Sequence, residues 1–137
     1  MKLNLKKTVN NLLIGAIMLT AFQNVLAQEK ILKEFKIIIE KTNDGIKMNS
    51  LNGSAWIDLK FNINNNQVVA IDEFGMTKLN KVSTLKNQNL TSFLFTITKT
   101  NKGILLKGIE GTKWTGLSFE LIENGRKAIN QFGMTNL

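Results

Sequence analysis

The chain has 137 residues, with 18 Lys+Arg against 10 Asp+Glu, and it contains no Cys, His, Tyr or Pro. Such a length usually makes one domain, and a hydrophobic content of 43% is enough for a packed core. Without Cys there is no disulfide, thiol nucleophile, thiolate metal site or lipid-attachment cysteine. Without His the commonest general base and transition-metal ligand are missing, so catalysis would have to rest on Asp, Glu, Lys, Ser or Thr.

The first residues carry Lys2, Lys6 and Lys7 and no acid. An apolar run from Leu12 to Phe22 follows, and then Val25-Leu26-Ala27. This is the order of a secretory signal peptide. The run is too short to span a bilayer, which needs roughly 20 residues. The expectation is a signal peptide over 1–27, cleaved after Ala27, with export to the periplasm or the exterior and no membrane span afterwards. Cleavage leaves 137 − 27 = 110 residues and 15 basic against 10 acidic groups, a net charge of +5.

The remaining chain, 28–137, reads as one β domain containing one unit written twice. Shifted by 58 positions, Leu32–Leu79 lies over Leu90–Leu137 without a gap, and 20 of the 48 pairs are identical. The identities include Phe35/Phe93, Lys41/Lys99, Trp56/Trp114, Phe61/Phe119, Ile71/Ile129, Phe74/Phe132 and Met76/Met134. Repeat one is therefore 32–79 and repeat two 90–137, with 80–89 a polar linker.

Within each repeat, Phe35, Ile37 and Ile39 alternate with Lys36, Ile38 and Glu40, as Phe93, Phe95 and Ile97 do with their neighbours, which predicts a half-buried strand. Thr42-Asn43-Asp44-Gly45 and Thr100-Asn101-Lys102-Gly103 predict a hairpin whose Gly takes a positive φ. Ile46 and Met48, or Ile104 and Leu106, belong to the return strand. A third strand starts near Trp56 or Trp114. The turn at Asn124-Gly125 predicts type I′ geometry, with φ > 0 at both residues. The segments 68–74 and 126–132 fit a strand, with a single helical turn as the alternative.

Each copy then reads as a four-stranded meander of roughly 45 residues with one apolar face, marginal by itself. The expected fold is all-β: two such repeats packed as one pseudo-two-fold sandwich or barrel. Phe35, Trp56, Leu59, Phe61, Ile71 and their counterparts should line the core.

The tandem pattern Gly-Ile, then Gly-x-x-Trp-x-x-Leu-x-Phe, then Ala-Ile-Asp/Asn-x-Phe-Gly-Met-Thr resembles small secreted bacterial proteins of unknown function. It covers both repeats. The resemblance implies an exported β-rich protein and brings no catalytic residue with it.

Several residues are candidates for chemistry. Trp56, Trp114, Phe74 and Phe132 are either stacking platforms for a ligand or core residues. Met76 and Met134 are either an adaptable contact surface or plugs at the end of the core. Lys41-Thr42-Asn43 and Lys99-Thr100-Asn101 either hold an anion or cap a strand end. Asp72 and Glu73 form the only adjacent acid pair in either repeat, with a single-copy acid site as one reading. The second copy replaces them with Asn130 and Gln131, and no acid of repeat one is an acid in repeat two, so a duplicated carboxylate or metal site is excluded.

Nucleic acid is a poor fit, because repeat one is neutral, repeat two is +3 and Arg126 is the only Arg. No metal or cofactor is implied. The expected function is a non-enzymatic binding or protein-interaction module of the envelope or exterior, with a protein or glycan as partner. The alternatives are a small hydrolase using Asp72 and Glu73, and a structural envelope component.

Overall fold

A computed structural model describes residues 31–81 and 86–137. The signal peptide expected over 1–27 and the middle of the linker lie outside the described residues. From Leu32 to Leu137 the chain forms one compact unit.

Repeat one contributes β1 (Lys36–Lys41), β2 (Gly45–Asn52), β3 (Asp58–Asn62), β4 (Val68–Asp72) and β5 (Gly75–Thr77). Repeat two contributes β6 (Leu94–Lys99), β7 (Gly103–Glu110), β8 (Gly116–Glu120), β9 (Arg126–Asn130) and β10 (Gly133–Thr135). Every bound in the second set is the first plus 58, so the duplication extends to the ends of each strand. A 3-10 turn at Leu79–Lys81 opens the linker.

The strands make two antiparallel five-stranded sheets, ordered β10-β9-β1-β2-β3 and β5-β4-β6-β7-β8. This is the all-β sandwich that the alternation predicts. Each copy has a fifth strand beyond the expected four, because Gly75-Met76-Thr77 turns back onto β4 with Ile71 opposite Met76. The copies also do not keep one sheet each. After its third strand each chain segment crosses to the other sheet, so β4 pairs with β6 and β9 with β1. Neither repeat can join its last two strands to a larger sheet without the other copy's first strand.

The corner before β4 explains the crossing. Positive φ occurs at Asn66 (66°) and Asn124 (63°), but not at Gly125, in contrast to the type I′ expectation. Gln67 N–H donates to the Asn64 carbonyl and Gly125 N–H to the Ile122 carbonyl, which places the positive φ at the third turn position only. Type I′ twist would lay β3 beside β4 as a hairpin. Here the Asn66 amide donates to the Lys99 carbonyl at 2.8 Å and the Asn124 amide to the Lys41 carbonyl at 2.6 Å. Each corner is thus pinned to the end of the other copy's first strand.

The first hairpins also differ from expectation. Gly45 and Gly103 are outside the positive-φ set. They are required by close approach instead: a Cβ at Gly45 would lie 1.9 Å from the Phe61 carbonyl oxygen, and one at Gly103 would lie 2.0 Å from that of Phe119.

The inward faces of both sheets meet in one apolar cluster containing Phe35, Ile37, Ile39, Ile46, Met48, Ile71 and their counterparts. The Phe35 and Phe93 rings stack across the two copies with centroids 4.6 Å apart. Phe61 is buried, while Leu59, Leu117 and Phe119 are partly buried against the cluster. Burying such large side chains supplies the main driving force in a domain without disulfides.

Candidate functional site

Trp56 and Trp114 belong to the core. Both rings are buried, and each indole N–H donates to a backbone carbonyl, Trp56 to Asp72 at 3.0 Å and Trp114 to Asn130 at 2.9 Å. Each Trp therefore ties its own copy's third segment to the end of that copy's fourth strand, which lies in the other sheet. Neither ring is presented as a platform.

Lys41 and Lys99 work across the pseudo-two-fold. Lys99 Nζ donates to the Thr42 and Asn43 carbonyls at 3.2 and 3.1 Å, and Lys41 Nζ to those of Thr100 and Asn101 at 3.3 and 3.4 Å. Each ammonium thus caps the opposite copy's turn. The Lys-Thr-Asn motif is retained twice because each lysine needs the other copy's turn.

Asp72 and Glu73 are buried, and their oxygens accept backbone amides. Asp72 Oδ1 accepts from the Phe74 and Gly75 amides at 2.8 and 3.0 Å, which closes the β4–β5 turn. Asn130 Oδ1 makes the same bonds to Phe132 and Gly133. Glu73 Oε2 accepts from the Phe93 amide at 3.2 Å, and Gln131 Oε1 from the Phe35 amide at 3.2 Å. The acid pair thus does work that an amide pair does equally in the other copy. That work needs an acceptor oxygen, not a charge.

The remaining candidates lie at the surface. Phe74 and Phe132 occupy the tips of the β4–β5 and β9–β10 hairpins and are 45% and 62% exposed. Met76 and Met134 follow on the edge strands at 52% and 43%, and Leu79 and Leu137 at 55% and 66%. Gly75 and Gly133 bend the chain there with φ of 126° and 135°. The Met residues are therefore not plugs. Leu79 and Leu137 belong with them, although the alternation alone assigned them no part in a site. Their signal is the combination of identity between copies and exposure.

The two tips lie at the same end of the sandwich, since Glu73 and Gln131 beside them bond the amides of Phe93 and Phe35, whose rings stack. A Cβ at Gly75 would lie 3.7 Å from Leu59 of β3, which places β5 beside β3. The strand β3 ends the first sheet opposite β10. The tips therefore mark opposite lateral edges of the sandwich.

The first tip also borders a groove of about 540 Å³ with Val68, Ala70, Met76, Leu79 and Thr96 among its lining residues. Among the described residues, no group of three or more acidic side chains is placed to hold a metal ion. No helix among them is long and apolar enough to cross a membrane.

No family model matches the chain, and neither a curated protein nor a solved structure matches it.

Proposed function

We propose that this is an exported, non-enzymatic protein-interaction module of the envelope or exterior, acting through the two apolar hairpin tips. One observation carries the reading. Nearly every identity between the copies has a structural reason: core burial, the lysine caps, the corner asparagines, or glycines at close contacts and tight bends. Phe74, Met76 and Leu79 with their counterparts are the large apolar identities that stay exposed. Exposed apolar clusters mark contact surfaces, and Met adapts readily to a partner. A hydrolase reading has less support, because Asp72 and Glu73 are occupied by backbone amides rather than open to a substrate.

The test is capture from envelope extract by the tagged protein, beside a variant carrying Ser at Phe74, Met76, Phe132 and Met134. The expected result is a defined partner that the variant loses while its circular dichroism and melting stay unchanged. Equal capture by both proteins would sink the reading.

A further inference from the structure

We infer that Met76 and Met134 are a pair of reversible oxidation sites, where hydrogen peroxide converts the thioether to a sulfoxide and so weakens the apolar contact at both tips. The modification stands on the two side chains themselves; its effect on binding rests on the tips being contact surfaces.

Residues 28–137 contain three methionines, and the two copies treat them differently. Met48 is fully buried, and its counterpart is Leu106. Where the side chain only fills the core, Leu takes its place, as volume-conserving swaps allow. Met76 and Met134 are 52% and 43% exposed, and there both copies keep the sulfur. Contact alone is open to other apolar side chains, as Phe74 and Leu79 beside Met76 show. What those lack is a thioether that can be oxidised.

Competing targets are absent or shielded. The chain has no Cys, both Trp rings are buried, and Met48 lies in the core. The expected export also takes the protein out of a thiol-reduced compartment. Met76 lies opposite Ile71 on β5 and Met134 opposite Ile129 on β10, each on the terminal strand of its sheet. Each thioether thus sits at the margin of the core with about half of its residue in water, and the added oxygen can turn outward without breaking the packing.

In the reaction a sulfur lone pair attacks one peroxide oxygen. The S–O bond forms as the O–O bond breaks, and the second oxygen takes up the proton and leaves as water. Sulfur gives up two electrons and the peroxide is reduced. A thiol-dependent sulfoxide reductase reverses the step, with the oxygen leaving as water and two thiols becoming a disulfide. The sulfoxide is polar, so each tip loses part of the apolar surface on which its contact depends.

The experiment treats the folded protein, recovered after export, with dilute hydrogen peroxide. Peptide mass mapping reads each methionine, and retention on a phenyl matrix reads the apolar surface without needing a partner. A Met76→Leu/Met134→Leu variant runs beside it. Met76 and Met134 are expected to gain oxygen before Met48 does, with circular dichroism unchanged. Retention is expected to fall on oxidation and to return after treatment with a sulfoxide reductase and dithiothreitol. The variant's retention, whatever its starting value, is expected not to respond to peroxide.

Oxidation of Met48 at the same pace, unfolding on oxidation, or unchanged retention with both sulfoxides formed would each overturn the inference. So would a peroxide response in the variant. Absence of any partner in capture from envelope extract would count instead against the tips as contact surfaces, and not against the oxidation sites.

Discussion

The two sheets share an interior and differ outside. On the outward face of the first sheet stand Lys36, Glu40, Lys47, Asp58, Lys60 and Arg126. The equivalent positions of the second hold Leu94, Thr98, Leu105, Gly116, Ser118 and Val68. Inward, Ile39 matches Ile97, Ile46 matches Ile104 and Ile71 matches Ile129. Packing at near-crystal density restrains the inner positions, where a changed methylene is felt. Apart from Leu94, which is buried, these outer positions are exposed or half-buried, and they have diverged. Against that background, the exposed pairs that stayed apolar need a reason other than packing.

The comparison can be broken first at its strongest point. Trp56→Ala and Trp114→Ala should each cost roughly 3–5 kcal/mol, since each removes a buried ring and leaves a carbonyl without its indole donor. Thermal or denaturant unfolding should place the two variants close together. A large gap between them would show that the copies are not energetically equivalent.

Next comes the acceptor beneath each first strand. Glu73→Ala leaves the buried Phe93 amide unpaired and should cost about 1–3 kcal/mol. Glu73→Gln reproduces what Gln131 already does and should stay within about 1 kcal/mol. Similar losses for both substitutions would mean that the charge itself matters at position 73. Urea unfolding midpoints would read the difference.

The lysine caps sharpen the comparison further. Lys99 is buried and Lys41 half-buried. Lys99→Met should therefore cost on the order of 1–2 kcal/mol, and Lys41→Met less, because water can reach the carbonyls that Lys41 caps. The reverse order in melting temperature would contradict the cross-copy capping.

The smallest expected effect is at the tips. Phe74→Ser and Phe132→Ser should change stability by no more than about 0.5 kcal/mol, as exposed substitutions do. A cost several times larger would place the tips in the fold rather than in a contact.

Much of the fold was legible in the chain. Period-two alternation located β1, β2, β6 and β7, and the 58-residue self-match aligned every later strand with its partner. What stayed hidden was the exchange of β4 and β5 between sheets, because a local turn signal such as Asn124-Gly125 describes φ preferences and not which strand waits on the far side. The carbonyls of Lys41 and Lys99 that receive the corner amides are non-local, and no spacing rule announces them. At the candidate site, Phe74 and Met76 were visible as retained residues, but their exposure was not. Trp56 was visible as an aromatic identity, while its indole bond to Asp72 decides that it is core.

By itself the sequence determined that this is a duplicated β unit without cysteine or histidine chemistry, because composition and identity at fixed spacing need no coordinates. Tertiary structure alone decided which retained residues hold the two copies together and which are left for a partner. A lysine, a glutamate and a methionine kept twice look alike on paper. Only packing shows that the lysine caps a turn, the glutamate accepts a buried amide, and the methionine faces water.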